Sequence, residues 1–173
     1  MRVPRAREAR AMTRKHTTER AMILTAPEHP VLLHDALQRI GCGELWSTGP
    51  GVDLRPELLP ALLSPLLHGL QQELAYKHRL GRGPAVRLRV GVHVGPPASR
   101  AAVHRLLEAE PVRELLDRSN PEVTFVVAAI TPSARALLGE RAPELVTAET
   151  GKGLVHLHVP QPSGRLLALR AGR

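Results

Sequence analysis

Few residues of this chain have the type and spacing to do chemistry. His156 and His158 stand two apart, so on a strand they share one face, and with His93 they could offer three imidazoles to a metal ion. No cysteine or carboxylate is spaced to complete that set, so surface histidines on a strand are the plainer reading. Cys42 has His34 upstream, but the pair matches no nucleophile–base motif, and a structural thiol is expected. As the only cysteine it forms no intrachain disulfide and no multi-cysteine metal site. Gly49-x-Gly51 and Gly81-x-Gly83 lack the following Lys-Ser/Thr that a phosphate loop needs.

The stretch that must organise such residues is Val86–Pro97. Val86, Leu88, Val90, Val92 and Val94 alternate with Arg87, Arg89, Gly91 and His93, the period of a strand with one face on a core. Gly95-Pro96-Pro97 ends it, because proline lacks the ladder donor.

Upstream, Ala21–Thr25 reads as a strand, and Pro30 opens a helix through Val31, Leu33, Leu37 and Ile40. A short strand is expected over Leu45–Thr48, then a turn at Gly49-Pro50-Gly51. Leu58–Leu74 carries a wide leucine stripe, most simply core, or in part a dimer surface if left uncovered. Pro60 and Pro65 predict a loose turn over 56–64, with Ser64 capping a helix over 65–79. Downstream, Ser99 can cap a helix that Pro111 should split, and Val123–Ile130 has the unbroken apolar run of a doubly buried strand. Thr131-Pro132 opens a short helix ending at Gly139. Leu145–Thr147 and Leu154–Val159 form a hairpin around Gly151-Lys152-Gly153. Strands alternating with helices predict an α/β (α+β) domain with a single mixed sheet and helices packed on it.

A length of 173 residues fits one domain, and 43% hydrophobic residues can fill its core. Trp46, Tyr76 and Phe125 are the whole aromatic inventory, too few for a base-stacking platform. The formal charge of +8 lies entirely at the ends: residues 1–20 carry seven basic groups against Glu8 and Glu19, and residues 165–173 add three more. Such ends predict nonspecific attraction to polyanions, including nucleic acid, and not a shaped surface. The expected division is a basic disordered tail over 1–20, a domain over 21–160 and a C-terminal tail over 161–173. With no apolar run near the roughly 18 residues of a membrane span, and no signal-peptide core, a cytoplasmic protein with no membrane contact is expected.

Arg89-Val90-Gly91-Val92-His93-Val94-Gly95-Pro96, followed by Ala101–Pro111, resembles the catalytic domain of class III nucleotidyl cyclases. It is most similar to a group of degenerate actinobacterial cyclase-like proteins. The resemblance spans roughly residues 40–160 and implies a ferredoxin-like βαββαβ core that works as a homodimer or beside another cyclase-like chain. Two aspartates of that family hold the metal ions that activate the ribose hydroxyl. Thr25 and Cys42 stand at those positions, and neither offers the oxygen anion that magnesium prefers. Ala101 replaces the asparagine that would orient the ribose, while Arg105 matches the phosphate-stabilising arginine. Only the arginine is kept.

The resemblance therefore implies a non-catalytic regulatory or interaction domain without cofactors. The alternatives are a metal-independent sensor of nucleotides or other small ligands, with Arg105 and Lys152 holding phosphate, or a nucleic-acid-associated protein acting through its basic ends. Asp35, Glu44 and Asp53 are the carboxylates to locate, because two of them beside Arg105 would reopen the metal question.

Overall fold

The structure is a computed structural model that describes residues 19–45, 51–81 and 85–160. The expected tails therefore lie outside the described residues, apart from Glu19 and Arg20 at the end of the first. Six strands form one mixed sheet: β1 (Arg20–Ala26), β2 (Gly51–Leu54), β3 (Leu88–Gly95), β4 (Val126–Ile130), β5 (Val146–Thr150) and β6 (Gly153–His158). Their order is β2-β1-β3-β4-β6-β5. Only β3 and β4 are parallel; every other neighbouring pair is antiparallel. Five α-helices pack on it: α1 (Pro30–Arg39), α2 (Leu59–Arg79), α3 (Arg100–Leu107), α4 (Glu110–Asp117) and α5 (Pro132–Leu138). This is the single mixed sheet with packed helices of an α+β fold. The two strands that follow one another without a helix are β5 and β6, at the end of the chain. The connectivity thus differs from the βαββαβ succession in having no central hairpin among the described residues.

Period two divides the sheet between two helical layers. Ala21 and Ile23 of β1, Leu88 to Val94 in alternation on β3, and Val126, Ala128 and Ile130 of β4 meet the leucines of α1 and α2 and Ala134 and Leu138 of α5. On the other face, Leu24 meets Val103 and Leu107 of α3, while Val127 and Ala129 of β4 and Val155 and Leu157 of β6 meet α4. All five residues of β4 are buried, as an unbroken apolar run requires.

Helix α2 starts at Leu59 and runs through Pro65, so the expected loose turn over 56–64 and the Ser64 cap are both corrected. An interior proline costs about 3 kcal/mol. Seven buried leucines of that helix, at roughly 1.5–3 kcal/mol each, outweigh it. Gly51 opens β2 where a turn was expected, and Leu45 lies in a 3-10 turn, Gly43–Leu45, where a strand was expected. A Cβ on Gly51 would stand 2.5 Å from the Ile23 carbonyl oxygen, so only glycine allows β2 to seat beside β1. The rest of the expected 45–48 strand lies outside the described residues.

Pro111 separates α3 from α4 as expected, but Ser99 makes no side-chain cap; it ends a 3-10 turn, Pro97–Ser99, that leads into α3. Thr131 does cap α5, its hydroxyl accepting from the Ala134 N–H. A buried and a half-buried polar side chain, Gln71 and Arg87, lock the layers. Gln71 of α2 donates to the Val123 carbonyl at 2.7 Å and accepts from the N–H groups of Phe125 and Val126 at 2.9 Å. Arg87 donates to the carbonyls of Thr124, Leu116 and Ser119, fastening the end of α4 beneath the entry to β3.

Candidate ligand-binding cleft

Two glycines of β3 set the geometry of the site. A Cβ on Gly91 would lie 2.7 Å from Val103 Cγ1 and 3.1 Å from Leu107 Cγ, so a bare backbone here lets α3 lie directly on the sheet. A Cβ on Gly95 would lie 2.5 Å from His93 Nε2, so the second glycine makes room for the imidazole. His93 Nδ1 then stands 3.1 Å from Thr131 Oγ1 and 3.4 Å from Ser133 Oγ, and the two hydroxyls are 3.0 Å apart. Burial pulls His93 below the ordinary imidazole pKa, which favours a neutral ring at pH 7.

This cluster forms the floor of a cleft of about 530 Å³ at the carboxyl ends of β3 and β4. One wall is α3 and its exit, with Arg105, Leu106 and Ala109; the other is the β5–β6 turn, with Thr150, Lys152 and Leu154. Both charged groups are exposed cations, and no carboxylate lines the cleft. Leu154 is 51% exposed, an apolar side chain left facing open space at the rim. The volume lies in the range of small-molecule sites, with an apolar lining and a few convergent polar groups. Chemically it can take an organic anion: guanidinium and ammonium at the mouth, hydrogen-bonding groups at the floor, aliphatic contact between.

Of the residues singled out from the sequence, the fold brings Arg105, Lys152 and His93 to this one cleft. It keeps the rest elsewhere. Thr25 is buried at the end of β1, where its hydroxyl accepts from the His29 N–H at 3.2 Å. Cys42 lies beyond the other end of α1, with its thiol 3.7 Å from the Ile40 carbonyl. Ten helical residues, about 15 Å, stand between them. Ala101 is exposed in the first turn of α3 and does not line the cleft, although its neighbour Ala102 does.

His156 and His158 share a face, but it is the face opposite His93. They pair with Ile130 and Ala128, which belong to the α1–α2 side, whereas His93 alternates with Val92 and Val94 on that side. The three-histidine site is thus corrected, and no group of three metal-ligating side chains occurs among the described residues. His156 Nδ1 instead faces Thr147 Oγ1 at 3.0 Å, and His158 Nδ1 faces the Glu144 carbonyl at 2.9 Å. His34 Nε2 pairs with Gln38 at 3.2 Å, and the Cys42 thiol is directed at the Ile40 carbonyl. Asp53 is bound at 2.7 Å by Arg100, the first residue of α3, and none of Asp35, Glu44 and Asp53 lines the cleft.

Thr131, Ser133, Thr150 and Leu154 went unmarked as site residues from sequence. The usable signal was Thr131-Pro132-Ser133 directly after an all-apolar strand, since ligands in α/β sheets sit beyond the carboxyl ends of parallel strands. No described helix is long and apolar enough to cross a membrane. No family model, curated protein or solved structure matches the chain.

Proposed function

We propose that this chain is a non-catalytic regulatory domain that binds a small organic anion, of the nucleotide or phosphorylated-metabolite kind, without a metal. The observation that carries the reading is the convergence of Arg105 and Lys152, 47 positions apart in sequence, on one cleft with a hydroxyl–imidazole floor. Two cations lining one cleft that no carboxylate neutralises favour an anion there. The non-catalytic part rests on Thr25 and Cys42 standing where the cyclase resemblance places metal-holding aspartates. Descent from degenerate cyclase-like proteins, pairing as a homodimer or with another cyclase-like chain, and a cytoplasmic location belong to the same proposal.

Calorimetric titration with ATP, GTP and their monophosphates tests it. Binding in the micromolar to millimolar range is expected without magnesium, weakened at least tenfold by Arg105→Ala, which removes a charge-assisted contact of roughly 1.5–3 kcal/mol. Binding that needs a divalent metal, or turnover to a cyclic nucleotide that Arg105→Ala abolishes, would overturn the reading.

A further inference from the structure

The hydrogen bonds on the cleft floor run in one direction. His93 Nε2 is buried and has no hydrogen-bond partner, whereas Nδ1 has Thr131 Oγ1 at 3.1 Å and Ser133 Oγ at 3.4 Å. Buried N–H groups without an acceptor are rarer than buried acceptors without a donor, so the neutral ring assigned from this network carries its hydrogen on Nδ1. Nδ1 then donates to Thr131 Oγ1, which also accepts from the Ala134 N–H that it caps. With both lone pairs taken, Thr131 donates its own hydrogen to Ser133 Oγ at 3.0 Å. Ser133 cannot return a hydrogen to Nδ1, which already holds one. Its side chain is exposed, and its O–H is left to donate into the cleft.

The remaining polar side chains offer a ligand donors as well. Arg105 and Lys152 are exposed cations without acceptor atoms. The Thr150 hydroxyl is used within the β5–β6 turn, donating to the Gly153 carbonyl at 2.8 Å and accepting from the Lys152 N–H at 3.3 Å. Among the described residues no side-chain carboxylate or amide lines the cleft, and no Phe, Tyr or Trp does. A nucleobase is recognised by stacking on a flat ring and by acceptors for its amino hydrogens, and the side chains here supply neither acceptors nor a platform. Between the polar groups the lining is aliphatic, with Leu106, Ala109 and the half-exposed Leu154.

We infer that the ligand of this cleft is a phosphate monoester of a short aliphatic chain rather than a nucleotide, its head held by Arg105, Lys152 and the Ser133 hydroxyl and its body lying along Leu106 and Leu154. The inference rests on the proposed anion-binding reading and chooses between the two kinds of ligand that reading allows. A doubly ionised phosphate head presents acceptors only and so matches a set of donors. His93 and Thr131 are positioning residues, which aim the Ser133 hydrogen at that head. A soluble ester and the head group of phosphatidic acid share this chemistry. Leu154 is the large exposed apolar side chain at the described rim, too little to enter a bilayer, so the soluble ester is chosen.

The test is calorimetric titration of the full chain, without magnesium, with methyl phosphate, hexyl phosphate and AMP. Each buried methylene raises affinity by about fourfold, so hexyl phosphate is expected to bind at least about tenfold more tightly than methyl phosphate and about fivefold more tightly than AMP. Ser133→Ala is expected to weaken hexyl phosphate by about fivefold with urea unfolding unchanged, and Ser133→Thr, which keeps the hydroxyl, to restore it to within about threefold. Nitrogen chemical shifts of the His93 ring are expected to place its hydrogen on Nδ1; a hydrogen on Nε2 reverses the chain and overturns the role of Ser133, as does hexyl phosphate binding that Ser133→Ala leaves unchanged. AMP bound as tightly as hexyl phosphate, or equal affinity for the methyl and hexyl esters, overturns the aliphatic ligand, and the anion-binding reading stands if Arg105→Ala still weakens binding. Phosphatidic acid in phosphatidylcholine vesicles that captures the chain only while Arg105 is intact, with hexyl phosphate unbound, overturns the soluble ligand. No ester bound, or binding indifferent to both Arg105→Ala and Lys152→Ala, sinks the anion-binding reading itself.

Discussion

Gly91→Ala should separate α3 from the sheet. The new methyl would sit 2.7 Å from Val103 Cγ1 and 3.1–3.2 Å from two atoms of Leu107, where ordinary contact begins near 3.4 Å. Val103 and Leu107 are both buried and β-branched or tightly packed, so relief requires α3 to move outward by about 0.5–1 Å. Overpacking of this kind costs about 1–3 kcal/mol. Against it, replacing glycine stiffens the unfolded chain and returns about 0.4–1 kcal/mol. A net loss of about 1–2 kcal/mol is expected in urea unfolding. The decisive assay is a double-mutant cycle with Val103→Ala, which removes the methyl that the new Cβ strikes. If the clash is real, the double variant should be more stable than the sum of the two single losses predicts, by about 1 kcal/mol. Additivity within 0.3–0.5 kcal/mol would mean that no such contact exists and would refute the account of how α3 is seated.

Gly95→Ala should displace the His93 ring, whose Nε2 lies 2.5 Å from the added methyl, and so lower ligand affinity with little effect on the far face of the sheet; histidine ring chemical shifts that match the parent protein's would contradict this. Gln71→Leu leaves the Val123 carbonyl and the Phe125 and Val126 N–H groups without their partner, which should cost about 3 kcal/mol in urea unfolding; a loss under 1 kcal/mol would show that the amide is dispensable. His93 and His158 are both held below the ordinary imidazole value, chiefly by burial, with His68 adding to the effect at His158 and Glu144 opposing it. The unfolded chain therefore binds more protons than the folded one between the lowered values and about 6.5, so stability should rise with pH across that window and fall on acidification. Replacing both with glutamine should flatten the slope of stability against pH from 5 to 7; an unchanged slope would assign it elsewhere.

The sheet could be read from sequence wherever burial was one-sided or complete. Period two at Leu88–Val94 and the unbroken run ending at Ile130 each left one solution for the strand. The misreadings share a cause. Pro65 and Gly51 have local preferences for a break and a turn, but the leucine stripe of α2 and the close pairing of β2 with β1 override them. Site residues divide the same way. Arg105 stands out only through the cyclase resemblance and Lys152 only as the cation of a glycine turn, and nothing in their spacing says that one cleft holds both. Parity along β6 and β3 fixes that His156 and His158 face away from His93 only once the order of strands is known.

The position of the cleft follows from how the chain leaves β3 and β4. After β3 the chain crosses through α3 and α4 on one face, and after β4 it turns through α5 onto the other. Side chains at the ends of two parallel neighbours are thus parted instead of packed together, and a crevice opens between the two departures. Gly91 deepens it by lowering α3 onto the sheet, and Gly95 keeps His93 within reach of Thr131 and Ser133. The β5–β6 turn closes the remaining side and carries Lys152 with it. The motif strand consequently contributes little chemistry beyond His93, and its glycines act through what they allow to come close. Arg105 and Lys152 line one opening because α3, seated low over Gly91, and the β5–β6 turn both border it.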